Sequence, residues 1–328
     1  MTEATERNGR AKIVFATRMG EEQLAALGGQ FPGATFVSAP DLESQLRELP
    51  DADAVISWPQ AEALARTERL RWVHCTSAGI ERIRSVPQLV EMDAVTLTNG
   101  RGAHAGTIAD HTFAFILAFT RNLRDIMEDQ KAHRWERPAR SHGARELSGS
   151  TMGILGLGRI GSEIARRATG FGVDLIAVDA NPAATAPGVD GVWPLERLDD
   201  LLRTVDYLAI AVPITPATRG LIGARELALM RPDAYLCVMS RGGIVDQDAL
   251  AQALKEGRLA GAGLDATEPE PLPAQHPLWD LPNVIISPHC SGASRQTSER
   301  GREILRQNLT RFLAGEPLIN QCDKRAGF

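Results

Sequence analysis

Short apolar runs alternate with amphipathic stretches along most of the chain. In its first third the apolar runs predict buried strands, and the amphipathic stretches between them predict helices. Strands are predicted at residues 12–17, 35–38, 54–58, 72–75 and 95–98, and helices at residues 21–27, 42–49 and 61–66. Strands that alternate with helices in this way favour a small α/β domain with a parallel sheet.

The most widely apolar segment of the chain is residues 103–121, where Ile and Phe side chains lie on nearly all sides of a helical wheel. A helix of this kind must be buried, either between domains or against another subunit. Residues 122–135 continue as an amphipathic helix, and residues 136–147 form a polar arm. Because a two-fold partner would bury the exposed Phe and Ile side chains, we expect a homodimer.

The same alternation of strands and helices resumes after the arm. Strands are predicted at residues 152–155, 175–178, 207–212, 235–239, 260–264 and 284–286, and helices at residues 195–202, 223–230 and 247–256. This pattern indicates a doubly wound parallel sheet in the middle of the chain. A last helix, at residues 299–313, is expected to return to the N-terminal domain. The predicted division is residues 1–101 with 291–328, and residues 102–290.

A glycine-rich turn follows the strand at residues 152–155. Gly156, Gly158 and Gly161 have the G-x-G-x-x-G spacing, which allows a tight turn, close backbone approach to a pyrophosphate and close helix–strand packing. Asp179 ends the next strand about 20 residues further on, where an acid binds ribose hydroxyls and repels a 2′-phosphate. The motif therefore predicts a Rossmann-type domain that binds NAD rather than NADP. A glycine-rich turn of another α/β protein is the alternative.

Five further residues are predicted to contact the dinucleotide. Arg159 and Ile160 open the helix after the glycine turn, and Arg159 is placed to reach the pyrophosphate. Pro213 and Thr215 follow a strand beside the expected adenosine pocket. Asp265 ends another strand and is expected to face the nicotinamide carboxamide, although it could instead cap a local turn.

Three chemically distinct side chains follow three strands of the same predicted sheet. Arg241 comes after the strand at residues 235–239, Glu270 after residues 260–264, and His289 after residues 284–286. Because parallel strands end at one edge of their sheet, a cation, a carboxylate and an imidazole can converge there. Taken singly, they could also be a surface ion-pairing residue, a solvated acid and a structural histidine.

Composition excludes several other classes of function. The chain has 328 residues, of which 43% are apolar and 23% charged, and its formal net charge of −5 argues against non-specific nucleic-acid binding. The four cysteines show neither C-x-x-C pairs nor metal-ligand spacing, so we expect reduced thiols and no metal. With no signal-peptide pattern and no apolar run long enough to cross a bilayer, we expect a cytoplasmic protein.

Several of these runs resemble the D-isomer-specific 2-hydroxyacid dehydrogenases. The most specific are S-R-G-G-I-V-D-x-x-A-L from Ser240, L-D-x-x-E-P-E-P from Leu264 and P-N-V-I-x-S-P-H from Pro282. Together with the glycine motif, they extend the resemblance over nearly the whole chain. The resemblance implies a Rossmann-type NAD domain (residues 102–290) inserted into a smaller, flavodoxin-like substrate domain that closes over its ligand.

The resemblance also implies roles for individual residues. Arg241 would bind the carboxylate and carbonyl of a 2-keto acid, and His289 would donate the proton, with Glu270 orienting the imidazole and favouring its charged form. The implied substrate is a small 2-keto acid such as glyoxylate or hydroxypyruvate, reduced by NADH to a D-2-hydroxy acid. Its carboxylate would also be bound by a loop formed by Ser77, Ala78 and Gly79.

Departures from the family pattern leave the substrate open. Val238 stands where Asn is usual, Ala211 where His is frequent, and Asp110 where Glu is more frequent. The resemblance further suggests that the arm crosses to a partner subunit, with Trp135 or His142 beside its pocket, although a polar arm is more often an exposed connector. Alternatives within the same fold are an NAD-sensing corepressor-like scaffold and a formate- or phosphonate-oxidising enzyme.

Overall fold

The chain forms two compact units in the computed structural model, which describes residues 9–137 and 143–327. One unit combines Met1–Ala103 with Arg295–Phe328, and the other is His104–Ser294. Both contain a parallel sheet flanked by helices, so the prediction of a two-domain α/β protein is confirmed. The assignment of one unit to substrate and the other to cofactor remains a prediction.

The first unit contains a five-stranded parallel sheet with strand order β2-β1-β3-β4-β5, the flavodoxin-like order. Its strands are β1 (Ala11–Phe15), β2 (Ala34–Ser38), β3 (Ala54–Ile56), β4 (Trp72–Cys75) and β5 (Thr96–Asn99). Its helices are α1 (Glu21–Gln30), α2 (Leu42–Glu48), α3 (Ala61–Leu64), α4 (Gln88–Glu91) and, from the end of the chain, α11 (Arg295–Ala314).

The C-terminal helix α11 covers one face of this sheet. Leu309 and Phe312 pack in one cluster with Ile13 and Trp72, and the Phe312 ring lies 5.2 Å from the Trp72 ring. Val14 belongs to a separate cluster on the other face, as the two-residue period of a strand requires. The returning helix therefore completes the N-terminal unit.

The second unit contains a seven-stranded parallel sheet with strand order β12-β11-β10-β9-β6-β7-β8. Its strands are β6 (Thr151–Leu155), β7 (Asp174–Val178), β8 (Val192–Trp193), β9 (Tyr207–Ile210), β10 (Tyr235–Val238), β11 (Gly261–Leu264) and β12 (Val284–Ile286). Its helices are α5 (Ala105–Thr120), α6 (Leu123–Lys131), α7 (Arg159–Ala168), α8 (Leu198–Thr204), α9 (Ala224–Leu229) and α10 (Gln247–Lys255). The strand order reverses between β6 and β9, where sheets of this type bind ligands. The pattern missed β8, which has only two residues.

Helix α5 is buried by its own unit, which corrects the premise of the homodimer prediction. Ile108, Phe113, Phe115 and Ile116 are at most 9% exposed and join the core between the sheet and α7. A Cβ on Gly263 would overlap the Phe115 ring, so the helix rests directly on β11. No partner is needed to bury these side chains, and within the described ranges no helix is long and apolar enough to cross a membrane.

An exposed apolar row lies instead on the next helix, α6. Leu123, Ile126 and Met127 are 42%, 40% and 58% exposed, at the spacing of one helical face. Asn122 separates α6 from α5 and has the left-handed conformation (φ 55°), which ends the first helix. This exposed row, rather than α5, is the apolar surface of the unit that a partner could cover.

A buried histidine lies in the sheet of the first unit. His74 on β4 is 1% exposed, and its Nδ1 lies 2.8 Å from Thr98 Oγ1, which also accepts a hydrogen bond from Trp72 Nε1. In the contact between Thr98 and His74 one group donates and the other accepts, which satisfies the buried ring nitrogen. Burial lowers the pKa of His74 to about 4.

This lowered pKa predicts a loss of stability in weak acid. Because the unfolded state binds the proton more readily, the contribution of neutral His74 is complete above about pH 6.5 and disappears as pH falls towards 4, by about 3 kcal/mol at most. His74→Asn, which keeps an acceptor, should flatten this dependence. Urea unfolding midpoints of both proteins between pH 4 and 7 test it, and parallel curves would contradict it.

Candidate active site

The glycine turn after β6 leaves a helix N-terminus open. Gly156 has φ 97°, and a Cβ on Gly161 would overlap the Gly156 carbonyl, so side chains are excluded at both positions. Gly158 is the N-cap of α7 and provides no side-chain cap, and a Cβ there would meet none of the described atoms within 4 Å. The N–H groups of Arg159 and Ile160 at the start of the helix thus face no capping side chain, as phosphate binding requires.

Asp179 is tied to this turn by its carboxylate. One oxygen accepts a hydrogen bond from the Leu157 N–H (2.6 Å) and the other from the Asn181 N–H (2.7 Å). The twelve residues that follow Asp179 contain neither lysine nor arginine. Arg197, further along, stacks on the Trp193 ring with its Cζ 3.6 Å from the centroid. The loop after β7 therefore presents a carboxylate and no adjacent cation.

The loop after β9 lies beside the glycine turn, because β9 pairs directly with β6. A Cβ on Gly156 would lie 2.8 Å from Val212, the residue before Pro213. Thr215 is folded into a turn in which its N–H donates to Thr218 Oγ1 (2.8 Å). The turn, the helix N-terminus and this loop together fit a dinucleotide.

The loops after β10 and β11 are packed backbone against backbone. A Cβ on Gly242 would overlap the Thr267 carbonyl, and a Cβ on Gly243 would overlap the Glu268 carboxylate. Arg241, one residue earlier, donates from Nη1 to the Ser240 carbonyl (2.7 Å). This contact explains the two glycines that follow the arginine, and it fixes the loop of Arg241 against the loop that carries the acid.

Glu270 and His289 form a direct pair. His289 Nδ1 lies 2.9 Å from one carboxylate oxygen of Glu270 and 3.1 Å from the other, which also accepts a hydrogen bond from the Thr267 N–H. Both side chains are about two-fifths exposed. With Nδ1 facing a carboxylate, Nδ1 is the protonated nitrogen, and Nε2 is the position that can exchange a proton with a ligand.

Asp265 is buried and binds the loop after β12. Its carboxylate accepts hydrogen bonds from Ser287 Oγ (2.5 Å), from the Cys290 N–H (2.9 Å) and from the Ser291 N–H (3.1 and 3.2 Å). These are the contacts of the turn-capping alternative, and a contact with nicotinamide stays a prediction. Ser240 Oγ is also buried here and has no hydrogen-bond partner among the described residues. A buried hydroxyl without a partner is costly, and a bound ligand could supply one.

The loop of Ser77, Ala78 and Gly79 belongs to the first unit. Each of its three carbonyls accepts a hydrogen bond, from the Gly100 N–H, from Asn99 Nδ2 (2.5 Å) and from Ser77 Oγ (2.8 Å) respectively. These three hydrogen bonds therefore fix the conformation of the loop. Within the described part of the chain no hydrogen bond uses the Ala78 and Gly79 N–H groups, which leaves them free for a carboxylate.

The three departures from the family pattern differ in position. Val238 is the last residue of β10 and lies in the apolar core, 2% exposed. Asp110 is bonded to Arg167 (2.5 Å), which joins α5 to α7 and is not part of the site. Ala211 follows the end of β9 and accordingly adds no polar group. Trp135, directly before the arm, is 93% exposed, and His142 lies outside the described residues.

Sequence reasoning missed the side chains that support this site. Ser287 and His111 were not predicted, although Ser287 stands two residues before His289. His111 was hidden in an otherwise apolar helix, and nothing local marks it as a neighbour of a residue 176 positions away. No group of three or more His, Cys, Asp or Glu side chains that could hold a metal occurs in residues 9–137 and 143–327.

Comparisons with known proteins agree with this geometry. Residues 113–291 match the model of the D-isomer specific 2-hydroxyacid dehydrogenase NAD-binding domain. A D-3-phosphoglycerate dehydrogenase of Mycobacterium leprae is 32% identical over 313 residues, which are 93% of this chain but 57% of that protein. A glyoxylate reductase of Korarchaeum cryptofilum is 36% identical over 289 residues, 84% of this chain and 85% of that protein.

The fold of the chain also matches that of a solved structure from this family. The D-isomer specific 2-hydroxyacid dehydrogenase of Xanthobacter autotrophicus, crystallised with NADPH and MES, superimposes with a TM-score of 0.80 at 28% sequence identity, covering 97% of this chain and 100% of that one. The NAD(P)-binding glycine turn and the strand-end residues thus occur in a fold shared with relatives of known class. The chain belongs to the D-isomer specific 2-hydroxyacid dehydrogenase family.

Proposed function

We propose that this protein is an NAD-dependent D-2-hydroxyacid dehydrogenase that reversibly reduces a small 2-keto acid, of the glyoxylate or hydroxypyruvate type. The observation that carries the proposal is the His289–Glu270 pair, at 2.9 Å, in the unit that also holds Arg241 and the open helix N-terminus. A proton donor, a carboxylate-binding cation and a dinucleotide site are the three parts that the reaction needs. Assay of a panel of 2-keto acids with NADH tests it.

The chain's own residues orient the substrate and move the proton. Arg241 has a planar fork of N–H donors, stays charged throughout and can bond a carboxylate and a neighbouring carbonyl oxygen together. His289 donates its Nε2 proton to the carbonyl oxygen in reduction and accepts it in oxidation. Glu270 holds Nδ1 and stabilises the charged ring. The bound dinucleotide supplies or accepts the hydride.

The residues proposed to hold the dinucleotide are those of the three loops at the switch point. The pyrophosphate would lie on the helix N-terminus at Gly158, Arg159 and Ile160, and Asp179 would bind the ribose hydroxyls. Pro213 and Thr215 would border the adenosine. The Asp265 carboxylate already binds the loop of His289. To contact the nicotinamide directly, it would have to exchange one of these hydrogen bonds for a bond to the cofactor; otherwise it would act on the cofactor only by holding that loop.

The preference for NAD rests on the loop after β7. A 2′-phosphate would meet the Asp179 carboxylate, and none of the twelve residues that follow it is a lysine or arginine that could neutralise the charge. The Xanthobacter relative was crystallised with NADPH, so membership of the family does not by itself fix the cofactor. The two relatives, a D-3-phosphoglycerate dehydrogenase and a glyoxylate reductase, support a 2-hydroxy or 2-keto acid as the substrate class.

The catalytic pair gives a direct prediction. His289→Ala should lower kcat about 100-fold or more, because general acid catalysis is lost, while NADH binding is kept. Arg241→Ala should abolish turnover mainly by loss of substrate binding. His276→Asn is the matched control, since His276 also faces a carboxylate, 3.4 Å away on Asp248, and asparagine can keep its cap. Wild-type turnover in His289→Ala at pH 7 would show that another group donates the proton.

The cofactor assignment gives a second prediction. NADH should exceed NADPH in kcat/KM by at least about tenfold, or about 1.4 kcal/mol, because Asp179 repels the 2′-phosphate. Asp179→Ala should lose most of this preference, chiefly by weaker NADH binding. Asp190→Ala, a change of the same charge further along the loop, serves as control. Equal efficiency of both cofactors with the wild-type protein would contradict the role given to Asp179.

We also propose a homodimer, now through α6 rather than α5. The row of Leu123, Ile126 and Met127 is the apolar surface that a second copy would bury, and C2 dimers are the commonest oligomers. Met127→Glu should shift the protein towards monomer at micromolar concentration in sedimentation equilibrium. Leu195→Glu, at an exposed leucine elsewhere in the same unit, should not. A wild-type particle of 35.5 kDa would refute the dimer.

A further inference from the structure

The loop that carries His289 is held against one side of helix α5. Three polar contacts join the helix to this loop, residues 287–294: His104 Nδ1 to the Gly292 carbonyl (3.1 Å), Thr107 Oγ1 to Ser294 Oγ (3.0 Å) and His111 Nε2 to Ser287 Oγ (3.0 Å). His104, the N-cap of α5, and the helix residues Thr107 and His111 are three and four positions apart, so they form a single stripe. The stripe faces the loop along its whole length.

The contact of His111 with Ser287 has a defined direction. A serine hydroxyl has one proton, and Ser287 directs it to the Asp265 carboxylate at 2.5 Å, which can only accept. Ser287 must therefore accept the hydrogen bond from His111, and His111 carries a proton on Nε2. The result is a chain of hydrogen bonds that runs from helix α5 through Ser287 to a carboxylate that is 2% exposed.

Asp265 connects this chain of hydrogen bonds to the backbone of the segment that carries the His289 imidazole. Its carboxylate binds the N–H groups of Cys290 and Ser291, the two residues after His289. His289 itself has φ 50°, a left-handed conformation that is uncommon outside glycine and persists only where the surroundings hold it. The His289 N–H also donates to the Ser287 carbonyl (3.0 Å), and together with the Asp265 bonds to the next two residues this contact maintains the conformation.

The position of His111 is set by the packing of α5 on the sheet. Phe115, one turn later, rests on Gly263 of β11, and the His111 ring meets the Phe115 ring edge-on with centroids 4.6 Å apart. The Phe115 contact fixes the rotation and height of the helix. His111 is thereby held at hydrogen-bonding distance from Ser287.

We propose that His111 is a positioning residue: through Ser287 and Asp265 it holds the loop in the conformation that places His289 Nδ1 on Glu270. The inference deepens the proposed function, on which it rests for the catalytic role of His289. His111 itself would touch neither substrate nor cofactor. Its loss should therefore lower kcat and leave the binding of both ligands nearly unchanged.

The test uses the whole 328-residue chain with glyoxylate and NADH as probes. His111→Leu and Ser287→Ala should each lower kcat about tenfold, with the KM for glyoxylate and the Kd for NADH within about twofold of wild type. The double variant should be no slower than either single variant by more than about threefold, because both changes break one chain of bonds. His111→Gln, whose side-chain N–H can replace Nε2–H, should recover most of the rate. Thr112→Val, which removes a buried hydroxyl bonded only within α5, is the control.

A second readout does not depend on turnover. In ¹⁵N-histidine spectra at fixed pH, the imidazole signals of His289 should shift in His111→Leu and Ser287→Ala and stay in place in His111→Gln and Thr112→Val. If the wild-type protein turns over no 2-keto acid, the proposed function fails, and these spectra still decide the positioning role. Ser287→Ala alone carries the test should His111→Leu not fold.

Two outcomes would overturn the inference. The first is wild-type kcat together with unmoved His289 signals in folded His111→Leu or Ser287→Ala. The second is a double variant whose loss is the product of the single losses, about 100-fold, because independent effects multiply and a shared chain of bonds does not.

Discussion

Close approach of backbone to backbone at the carboxyl edge of the seven-stranded sheet is the constraint on which this structure depends. Where Gly161 meets the Gly156 carbonyl, and where Gly242 meets the Thr267 carbonyl, a single methyl group would collide with main-chain atoms that cannot move independently. The first contact brings a helix N-terminus against the end of β6. The second locks the loop of Arg241 onto the loop of Glu270. The glycine turn and the pair of loops that carry Arg241 and Glu270 can therefore pack this closely only because glycine has no side chain.

Two acids at this edge of the sheet differ in how far they are buried and in what they bind. Asp265 is buried, and its carboxylate accepts hydrogen bonds from one hydroxyl and two backbone N–H groups. These bonds stabilise the buried charge and hold the loop after β12 in place. Glu270 lies nearer the solvent and uses one N–H of its own loop, which leaves the rest of its carboxylate to the imidazole. Two acids from the same short stretch thus differ in their partners and in their exposure.

Helix α5 has one face that packs into the core and another that contacts the loop of His289. Its apolar residues, among them Phe113 and Phe115, pack into the core of the second unit, which removes the need for a partner to cover them. The remaining stripe is polar and faces the loop of His289. The sequence pattern showed a helix apolar on nearly all sides and gave no reason to separate these two faces, because threonine and histidine fit either a core or a polar contact.

Apart from the short elements β8 and α4, the sequence alone determined the order of strands and helices. It also determined the glycine turn with Asp179 and the placement of Arg241, Glu270 and His289 after three strands. These are local properties, since hydrophobic period, glycine spacing and the polarity at strand ends are read from neighbouring residues. The tertiary structure decided which atoms meet: that Asp265 binds the loop after β12, that His111 reaches Ser287, and that α5 is covered by its own sheet. Such contacts join residues far apart in the chain, and they depend on the rotation and height at which a helix settles on a sheet, which only the packing of the whole unit fixes.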